Sequence, residues 1–94
     1  MALEFEWDAA KAAANYAKHG VSFGEASTVF QDPLSMTVSD PRHSRSEERF
    51  VILGRTANRR LLAVFHLDVD GRVRIISARP ATRLERDTYE EEPG

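Results

Sequence analysis

Three polar residues near the start of the chain recur at helical spacing. Lys11, Asn15 and Lys18 lie at positions i, i+4 and i+7, so a helix would place them along one face. His19 follows at the expected C-terminal end of that helix, where the helix dipole favours a protonated imidazole. This row could bind a phosphodiester and transfer a proton. A solvated helix face has the same pattern.

Arginines dominate the second half of the chain. Residues 42–86 contain eleven arginines, no lysine and five acidic residues, whereas both flanking segments are acidic and the whole chain has a net charge of −2. A guanidinium presents a planar fork of donors that matches phosphate oxygens. Arg79, Arg83 and Arg86 lie at near-helical spacing, so they could present a cluster of guanidinium groups to a phosphate. Pairing with nearby glutamates such as Glu85 is an equally open interpretation.

The remaining candidate groups are a carboxylate beside an arginine and scattered histidines. Glu48-Arg49 begins an apolar strand, which is typical of an ion pair that positions a strand end. His66 falls inside an apolar strand, where a hydrogen-bonded core histidine is the more common outcome, and His43 falls in a polar loop. The three histidines are far apart and cysteine is absent, so the sequence indicates no metal site and no cofactor.

The elements that must position these residues begin with a strand and two helices. Alternating apolar and acidic residues at 3–7 predict a half-buried strand. Asp8 is a suitable N-cap for a helix over 9–19, which Gly20 ends. Ser22 to Glu25 forms a capping box for a second helix, which runs to about residue 30 before Asp32-Pro33.

Four strands in a meander follow, at about 34–39, 49–55, 61–67 and 72–79, and a last helix begins near Pro80 and runs to about Glu91. Hairpin connections make these strands antiparallel. We therefore expect an α+β fold and one domain over residues 1–94. Its mainly antiparallel sheet is packed by two N-terminal helices and one C-terminal helix. Strict alternation in the last strand predicts Arg74 on one face and Arg79 on the other.

Length and composition restrict the class of protein. A chain of 94 residues fits a single domain, and the absence of cysteine excludes a disulfide scaffold and a thiol nucleophile. No apolar run approaches the roughly 18 residues that a membrane-spanning helix requires. The N-terminus lacks the basic and then apolar pattern of a signal peptide. We therefore expect a cytoplasmic protein without membrane contact.

Four blocks of sequence occur together and in order. They are F-x-W-D-x-x-K at 5–11, N-x-x-K-H-G-V-S-F at 15–23, Glu48-Arg49, and R-I-I-S-A-R at 74–79 with Ala81, Glu85 and Tyr89 beyond it. Over residues 3–91 the chain resembles the BrnT toxins of bacterial type II toxin–antitoxin systems. The resemblance implies a RelE-like fold and a ribonuclease that blocks translation. It also implies neutralisation by a BrnA-like ribbon-helix-helix antitoxin in a hetero-oligomer, such as a heterotetramer, that contacts DNA only through the antitoxin.

Metal-independent RNA cleavage needs a base for the 2′-hydroxyl, cations for the crowded phosphorane and an acid for the departing 5′ oxygen. The candidate catalytic residues are His19, Glu48, Arg49 and Arg79, and the candidate RNA-binding residues are Lys11, Lys18, Arg74 and Tyr89. The two catalytic arginines would clamp the transition state, and His19 would act as acid or base. Glu48 could orient its neighbouring arginine or act as a base. Tyr89 could stack on a base or form a hydrogen bond near the site.

Two other functions stay open from the sequence. The protein could be inactive and only bind its antitoxin to tune operon repression, because an arginine-rich surface suits an acidic peptide segment as well as RNA. A gyrase poison is the weaker third hypothesis. Fragmented RNA after expression of the protein alone would favour the ribonuclease, and DNA damage with intact RNA would favour the gyrase poison.

Overall fold

The computed structural model describes residues 3–40 and 48–91. In order, the elements are β1 (Phe5–Glu6), α1 (Ala9–His19), α2 (Phe23–Ser27), a 3₁₀ helix (Thr28–Gln31), β2 (Met36–Ser39), β3 (Arg49–Arg55), β4 (Leu61–Val69), β5 (Arg72–Pro80) and α3 (Arg83–Glu90). The sheet has the order β1-β5-β4-β3-β2. Strands β2 to β5 pair antiparallel and β1 pairs parallel with β5. The predicted α+β class with a mainly antiparallel sheet is confirmed.

The ends of α1 follow the predicted caps. The Asp8 carboxylate accepts a hydrogen bond from the backbone N–H of Lys11 at 2.9 Å, and Gly20 ends the helix in the left-handed conformation with a φ of 68°. The Ser22 hydroxyl then accepts from the N–H of Glu25 at 3.0 Å and begins α2. These contacts fix where the polar row on α1 begins and ends.

The segment after α2 differs from its predicted bounds. The α-helix ends at Ser27, and the chain continues as the 3₁₀ helix to Gln31. The Asp32 carboxylate then accepts from the backbone N–H of Leu34 at 2.9 Å and stabilises a turn. Because this turn includes Leu34, β2 begins at Met36. The expected loop around Pro41, with His43, lies outside the described residues except for its first residue.

Strands β3 and β4 have buried side chains on both faces, as their apolar runs predict. On the face that packs against α1 and α2, which we call the helix face, the buried cluster comprises Val21, Phe23, Ala26, Val29, Ile52, Leu62, Val64, Val73, Ile75 and Ala78. On the opposite face, which we call the open face, Leu53, Leu61 and Ala63 form a smaller cluster. Helix α3 covers part of the open face and leaves the rest accessible.

Strand β5 departs from strict alternation. Its pairing with β4 shifts by one residue, so Ile76 is an extra residue in a β-bulge. Ile75 before the bulge and Ala78 after it are both buried in the helix-face core, three positions apart. Arg74 and Arg79 therefore lie on the open face together. The prediction that these two arginines lie on opposite faces is wrong, because the bulge reverses the alternation between them.

The last helix also begins later than predicted. Strand β5 continues through Pro80, and the backbone N–H of Ala81 donates to the Leu61 carbonyl at 2.9 Å. A capping box of Thr82 and Glu85 then starts α3. Pro80 is therefore the end of a strand rather than the first turn of a helix. In the described part of the chain, no helix has the length and apolar character needed to cross a membrane.

A cation-lined candidate site

A cavity of about 410 Å³ opens on the open face, beside the C-terminal half of α1. Its described lining consists of Lys11, Lys18, His19, Asp40, Arg49, Phe65, Ile76, Ser77 and Arg79. We call it the cation cavity. Helix α1, the start of β3 and the end of β5 each contribute a basic side chain. Five of the eight candidate site residues from the sequence therefore come together from distant parts of the chain.

Asn15 attaches α1 to the free edge of β5. The residue is only 8% exposed. Its side-chain amide donates to the Val21 carbonyl at 3.0 Å and to the Ala78 carbonyl at 2.9 Å, and its oxygen accepts from the Ala78 N–H at 3.1 Å. The amide thereby continues the strand pairing beyond the end of β1. A purely solvated face is the wrong interpretation of the row from Lys11 to Lys18, because its middle residue is bonded to the sheet.

Four of the cavity's basic residues form no ion pair within the described part of the chain. Between residues 3–40 and 48–91, every ion pair joins an arginine to a glutamate, and none involves Lys11, Lys18, His19 or Arg49. Asp40 is the one acidic residue of the described lining, and it is 4% exposed. The cavity therefore has a surplus of positive charge, which favours an anionic ligand.

Arg79 is the one basic residue of the cavity that forms an ion pair among residues 3–40 and 48–91. Its two terminal nitrogens donate to the two carboxylate oxygens of Glu85 at 2.8 and 3.0 Å, and its guanidinium carbon lies 5.4 Å from the Phe65 ring centroid. Arg79 lowers the pKa of the Glu85 carboxyl, and the same hydrogen bonds raise the pKa of Arg79. The bidentate pair fixes the plane of the guanidinium at the cavity wall.

A second cavity of about 580 Å³ adjoins the first. Its described lining consists of Glu6, Trp7, Asp8, Lys11, Arg74, Ile75 and Ile76, and we call it the tryptophan cavity. Arg74 lies here rather than in the cation cavity, and two of its nitrogens lie 2.6 Å from the Glu6 carboxylate. Arg72 binds the other oxygen of that carboxylate at 2.7 Å. Hydrogen bonds from both arginines lower the pKa of Glu6.

Tyr89 lies away from the described lining of both cavities. Its hydroxyl donates to the Asp32 carboxylate, and the Arg55 guanidinium carbon lies 5.5 Å from its ring centroid. Burial and the hydrogen bond to Asp32 raise the pKa of Tyr89 to about 12. Tyr89 therefore holds α3 against the sheet. This placement does not support the expected stacking of Tyr89 on an RNA base at the cation cavity.

Other expected members of the site also lie apart from it. Glu48 is exposed just before β3 and does not line either cavity. Arg83 and Arg86 are exposed on α3, and Arg86 lies 3.7 Å from Glu90 on the same helix. Two backbone N–H groups at the start of α3, those of Thr82 and Glu85, are already bound within its capping box. The arginines at near-helical spacing therefore do not form one phosphate site.

Sequence reasoning missed the acidic member of the cavity and misjudged His66. Asp40 directly follows β2, and its backbone N–H donates to the Arg49 carbonyl at 2.7 Å, a pairing that no motif in the sequence indicates.

His66 is buried, as expected for a core histidine, but neither ring nitrogen has a hydrogen-bond partner in the described part of the chain. It packs between the rings of Phe30 and Phe50. Burial lowers the pKa of His66 and favours the neutral imidazole.

A small α+β domain with a cation-lined cavity defines a protein suited to an anionic polymer such as nucleic acid. Residues 7–85 match the family model described as "Ribonuclease toxin, BrnT, of type II toxin-antitoxin system". The chain belongs to this family of ribonuclease toxins, and the resemblance seen in the sequence is confirmed.

A solved structure agrees with this assignment at the level of fold. The 1.1 Å crystal structure of the Brucella abortus ribonuclease toxin BrnT matches with a TM-score of 0.63 and 22% sequence identity, over 87% of this chain and 100% of that one. A search of curated protein sequences gave no match. In residues 3–40 and 48–91, no three His, Cys, Asp or Glu side chains are grouped as metal ligands would be.

Proposed function

We propose that the protein inhibits translation in the cytoplasm by cleaving RNA without a metal ion, and that the cation cavity is its active site. The observation that carries this proposal is the convergence of Lys11, Lys18, His19 and Arg49 in one cavity, where none of the four forms an ion pair with a described residue. Such basic groups in a concave site are suited to a phosphodiester, because they can take the place of water in neutralising its negative charge.

The two lysines and the two arginines have different tasks in this mechanism. Lys11 and Lys18 lie about two turns apart on the same face of α1 and act as point charges for the RNA backbone. Arg49 and Arg79 approach from β3 and β5 and bind the phosphoryl oxygens. Charge on these oxygens rises as the 2′-oxygen attacks phosphorus, so the arginines stabilise the transition state more than the bound substrate.

His19 transfers a proton in the same cavity. Attack of the 2′-oxygen forms a bond to phosphorus, and the bond from phosphorus to the 5′ oxygen breaks. The 2′-hydroxyl loses its proton, and the departing oxygen gains one. Histidine is the residue whose ordinary titration range permits either task near neutral pH. The products are a 2′,3′-cyclic phosphate and a free 5′-hydroxyl. Glu48 stays a prediction, either as a residue that orients Arg49 or as a base.

The donor set favours a mechanism without a divalent cation. Magnesium in proteins prefers carboxylate and other oxygen ligands. The described lining of the cation cavity offers one carboxylate, Asp40, and several positive groups that repel a metal ion. The positive groups themselves can neutralise the phosphorane, which is one of the tasks that a metal performs in other nucleases.

The partner is proposed from the family to which the chain belongs. We infer an antitoxin of the BrnA type, with a ribbon-helix-helix domain, that joins the toxin in a hetero-oligomer such as a heterotetramer. DNA is contacted only through the antitoxin. The RelE-like placement of the fold likewise stays a prediction.

One observation favours a second function. Arg79 and Arg74 are each bound to a glutamate, so part of the expected cationic set is already neutralised within the chain. An inactive module that binds the antitoxin and acts only in operon autoregulation would not need these groups free. This alternative predicts tight antitoxin binding without growth arrest and without RNA cleavage.

The experiment is cleavage of RNA by purified protein in the presence of a chelator. We expect fragments with 2′,3′-cyclic phosphate ends, growth arrest when the protein is induced alone, and loss of both effects when the antitoxin is added. Intact RNA together with antitoxin binding would support the inactive module. Cleavage that stops in chelator and resumes with magnesium would contradict the metal-free mechanism.

A further inference from the structure

We propose that the tryptophan cavity binds a nucleobase next to the scissile phosphodiester, with the Trp7 side chain as the stacking surface. The inference rests on the ribonuclease function proposed above and adds to it a separate subsite for single-stranded RNA. With a volume of about 580 Å³, the cavity lies within the size range of small-molecule sites.

The two cavities are neighbours, because Lys11 and Ile76 line both of them. Ile76 is the extra residue of the bulge in β5, and the cavities meet there. A phosphate in the cation cavity therefore places its neighbouring nucleoside at the tryptophan cavity.

Trp7 has the exposure and the support that a stacking platform needs. It is 40% exposed, and its ring makes an edge contact with the buried Phe23 at a centroid distance of 6.0 Å and an interplanar angle of 77°. The ring is thus held from one side while it lines the cavity on another. Aromatic side chains that are fixed in this way bind unstacked bases of single-stranded RNA.

The charges of the two cavities distinguish a base from a phosphate. In the tryptophan cavity, the Glu6 carboxylate is bound by Arg72 and Arg74, and the Asp8 carboxylate accepts the N–H that starts α1. The described lining of the tryptophan cavity thus contains two carboxylates, Glu6 and Asp8, beside two basic side chains, Lys11 and Arg74, so its formal charges sum to zero. The cation cavity has a surplus of positive charge. The balanced cavity suits the uncharged base, and the positive cavity suits the phosphate.

The first test uses Trp7 as its own reporter, because it is the single tryptophan of the chain. Its fluorescence is titrated with 2′-O-methyl hexanucleotides of A, C or U, which lack the attacking hydroxyl and stay intact. The control ligand is the abasic hexamer, which has the same phosphates without bases. We expect at least one base-bearing hexamer to change the emission and the abasic hexamer to leave it unchanged.

The second test measures the coupling between Trp7 and a base of the substrate. An RNA that is cut at one position is made with an abasic ribose on either side of that position, and both RNAs are given to the wild type and to Trp7→Ala. We expect the variant, and the abasic ribose at one of the two positions, each to slow cleavage about 10-fold. Together they cause little further loss, because they remove the same contact. Trp7→Phe should recover most of the rate.

Tyr16→Ala is the matched control, since Tyr16 is an aromatic residue of α1 that is 60% exposed and lies outside both cavities. It should cleave like the wild type. The base subsite would be overturned by cleavage without any change in Trp7 emission, or by an abasic ribose that slows the wild type and Trp7→Ala equally. Either result would still agree with the proposed ribonuclease activity. A base-dependent change in emission without cleavage would support the subsite and count against the ribonuclease. Failure of every hexamer to bind would overturn the subsite.

Discussion

Helices α1 and α3 are attached to the same sheet by different means. Helix α1 is held by a neutral amide, because Asn15 pairs with the backbone of β5. Helix α3 has no buried residue and is held largely by charged groups, among them the Arg79–Glu85 and Arg55–Glu90 ion pairs. Arg55 and Arg79 beside α3 are therefore bound within the structure, whereas Lys11 and Lys18 of α1 form no ion pair with the residues that the structure describes. A basic residue that lines a cavity and forms no ion pair within the described part of the chain is the stronger candidate for binding a ligand.

The largest expected effect comes from removing the anchor of α1. Asn15→Ala leaves the Ala78 N–H and two carbonyls without their partners in a buried place, which costs about 2–4 kcal/mol of unfolding free energy. Denaturant unfolding measures this loss. RNA cleavage should fall as well, since Lys18 and His19 lose their position. Unchanged stability would show that the amide does not hold the helix. Tyr16→Ala is the control on the same helix.

A smaller effect is expected where α3 meets the sheet. Tyr89→Phe removes the hydrogen bond from the Tyr89 hydroxyl to the Asp32 carboxylate and should cost about 1.5–3 kcal/mol, the range for bonds to charged groups. Cleavage of RNA should change little, because Tyr89 lies outside the cation cavity. A large loss of cleavage with unchanged stability would instead support Tyr89 as a residue of the active site.

The same residue predicts a response to alkali. The pKa of Tyr89 is raised from its ordinary value of 10.0 to about 12, so its protonated form is favoured in the folded protein. Its contribution to stability is complete below pH 10 and is lost as the pH rises towards 12. Melting temperatures across this range should fall less steeply in Tyr89→Phe than in the wild type. Parallel curves would contradict the shift.

Acid should weaken the attachment of α3 through Glu85. Its pKa is lowered in the folded protein because Arg79 donates two hydrogen bonds to it. The contribution to stability is present above the unfolded value near 4.5 and is lost as the pH falls through the folded value. The pair is partly exposed, so the change is below about 1 kcal/mol. Glu85→Gln should flatten this part of the acid melting curve, and Asp87→Asn on the exposed side of α3 should not.

The smallest effect is expected for an exposed pair on α3. Arg86 and Glu90 lie 3.7 Å apart with about half of each side chain exposed. Such pairs contribute roughly 0.3–0.5 kcal/mol on a helix. Arg86→Ala should therefore leave the unfolding midpoint almost unchanged. If Arg86→Ala lowered the free energy of unfolding as much as Asn15→Ala, the proposed difference in how α1 and α3 are attached would be contradicted.

Most of the fold follows from local signals in the sequence. Asp8, Gly20 and Ser22 act within a few residues, so their effects on the helix ends depend on local chain geometry. The apolar runs of β3 and β4 likewise indicate that these strands have buried side chains on both faces. These signals predict the elements and their order, and the structure confirms them apart from shifts at element ends.

The parts of the site that depend on long-range pairing could not be predicted in the same way. The bulge at Ile76 results from the register between β4 and β5, and it alone places Arg74 and Arg79 on one face. The contact of Asn15 with Ala78 joins residues far apart in the chain. Residue type and spacing identified the cations, whereas which cations remain unpaired depends on tertiary contacts.

The most direct test of the central claim is the single-turnover rate of RNA cleavage, in chelator, for Arg49→Ala and Arg83→Ala. Both changes remove one arginine, and only Arg49 lines the cation cavity. We predict that Arg49→Ala lowers the rate by about 10²–10³-fold at unchanged melting temperature, as expected for a lost transition-state contact. Arg83→Ala should match the wild type. Equal rates for the two variants would contradict the cation cavity as the active site.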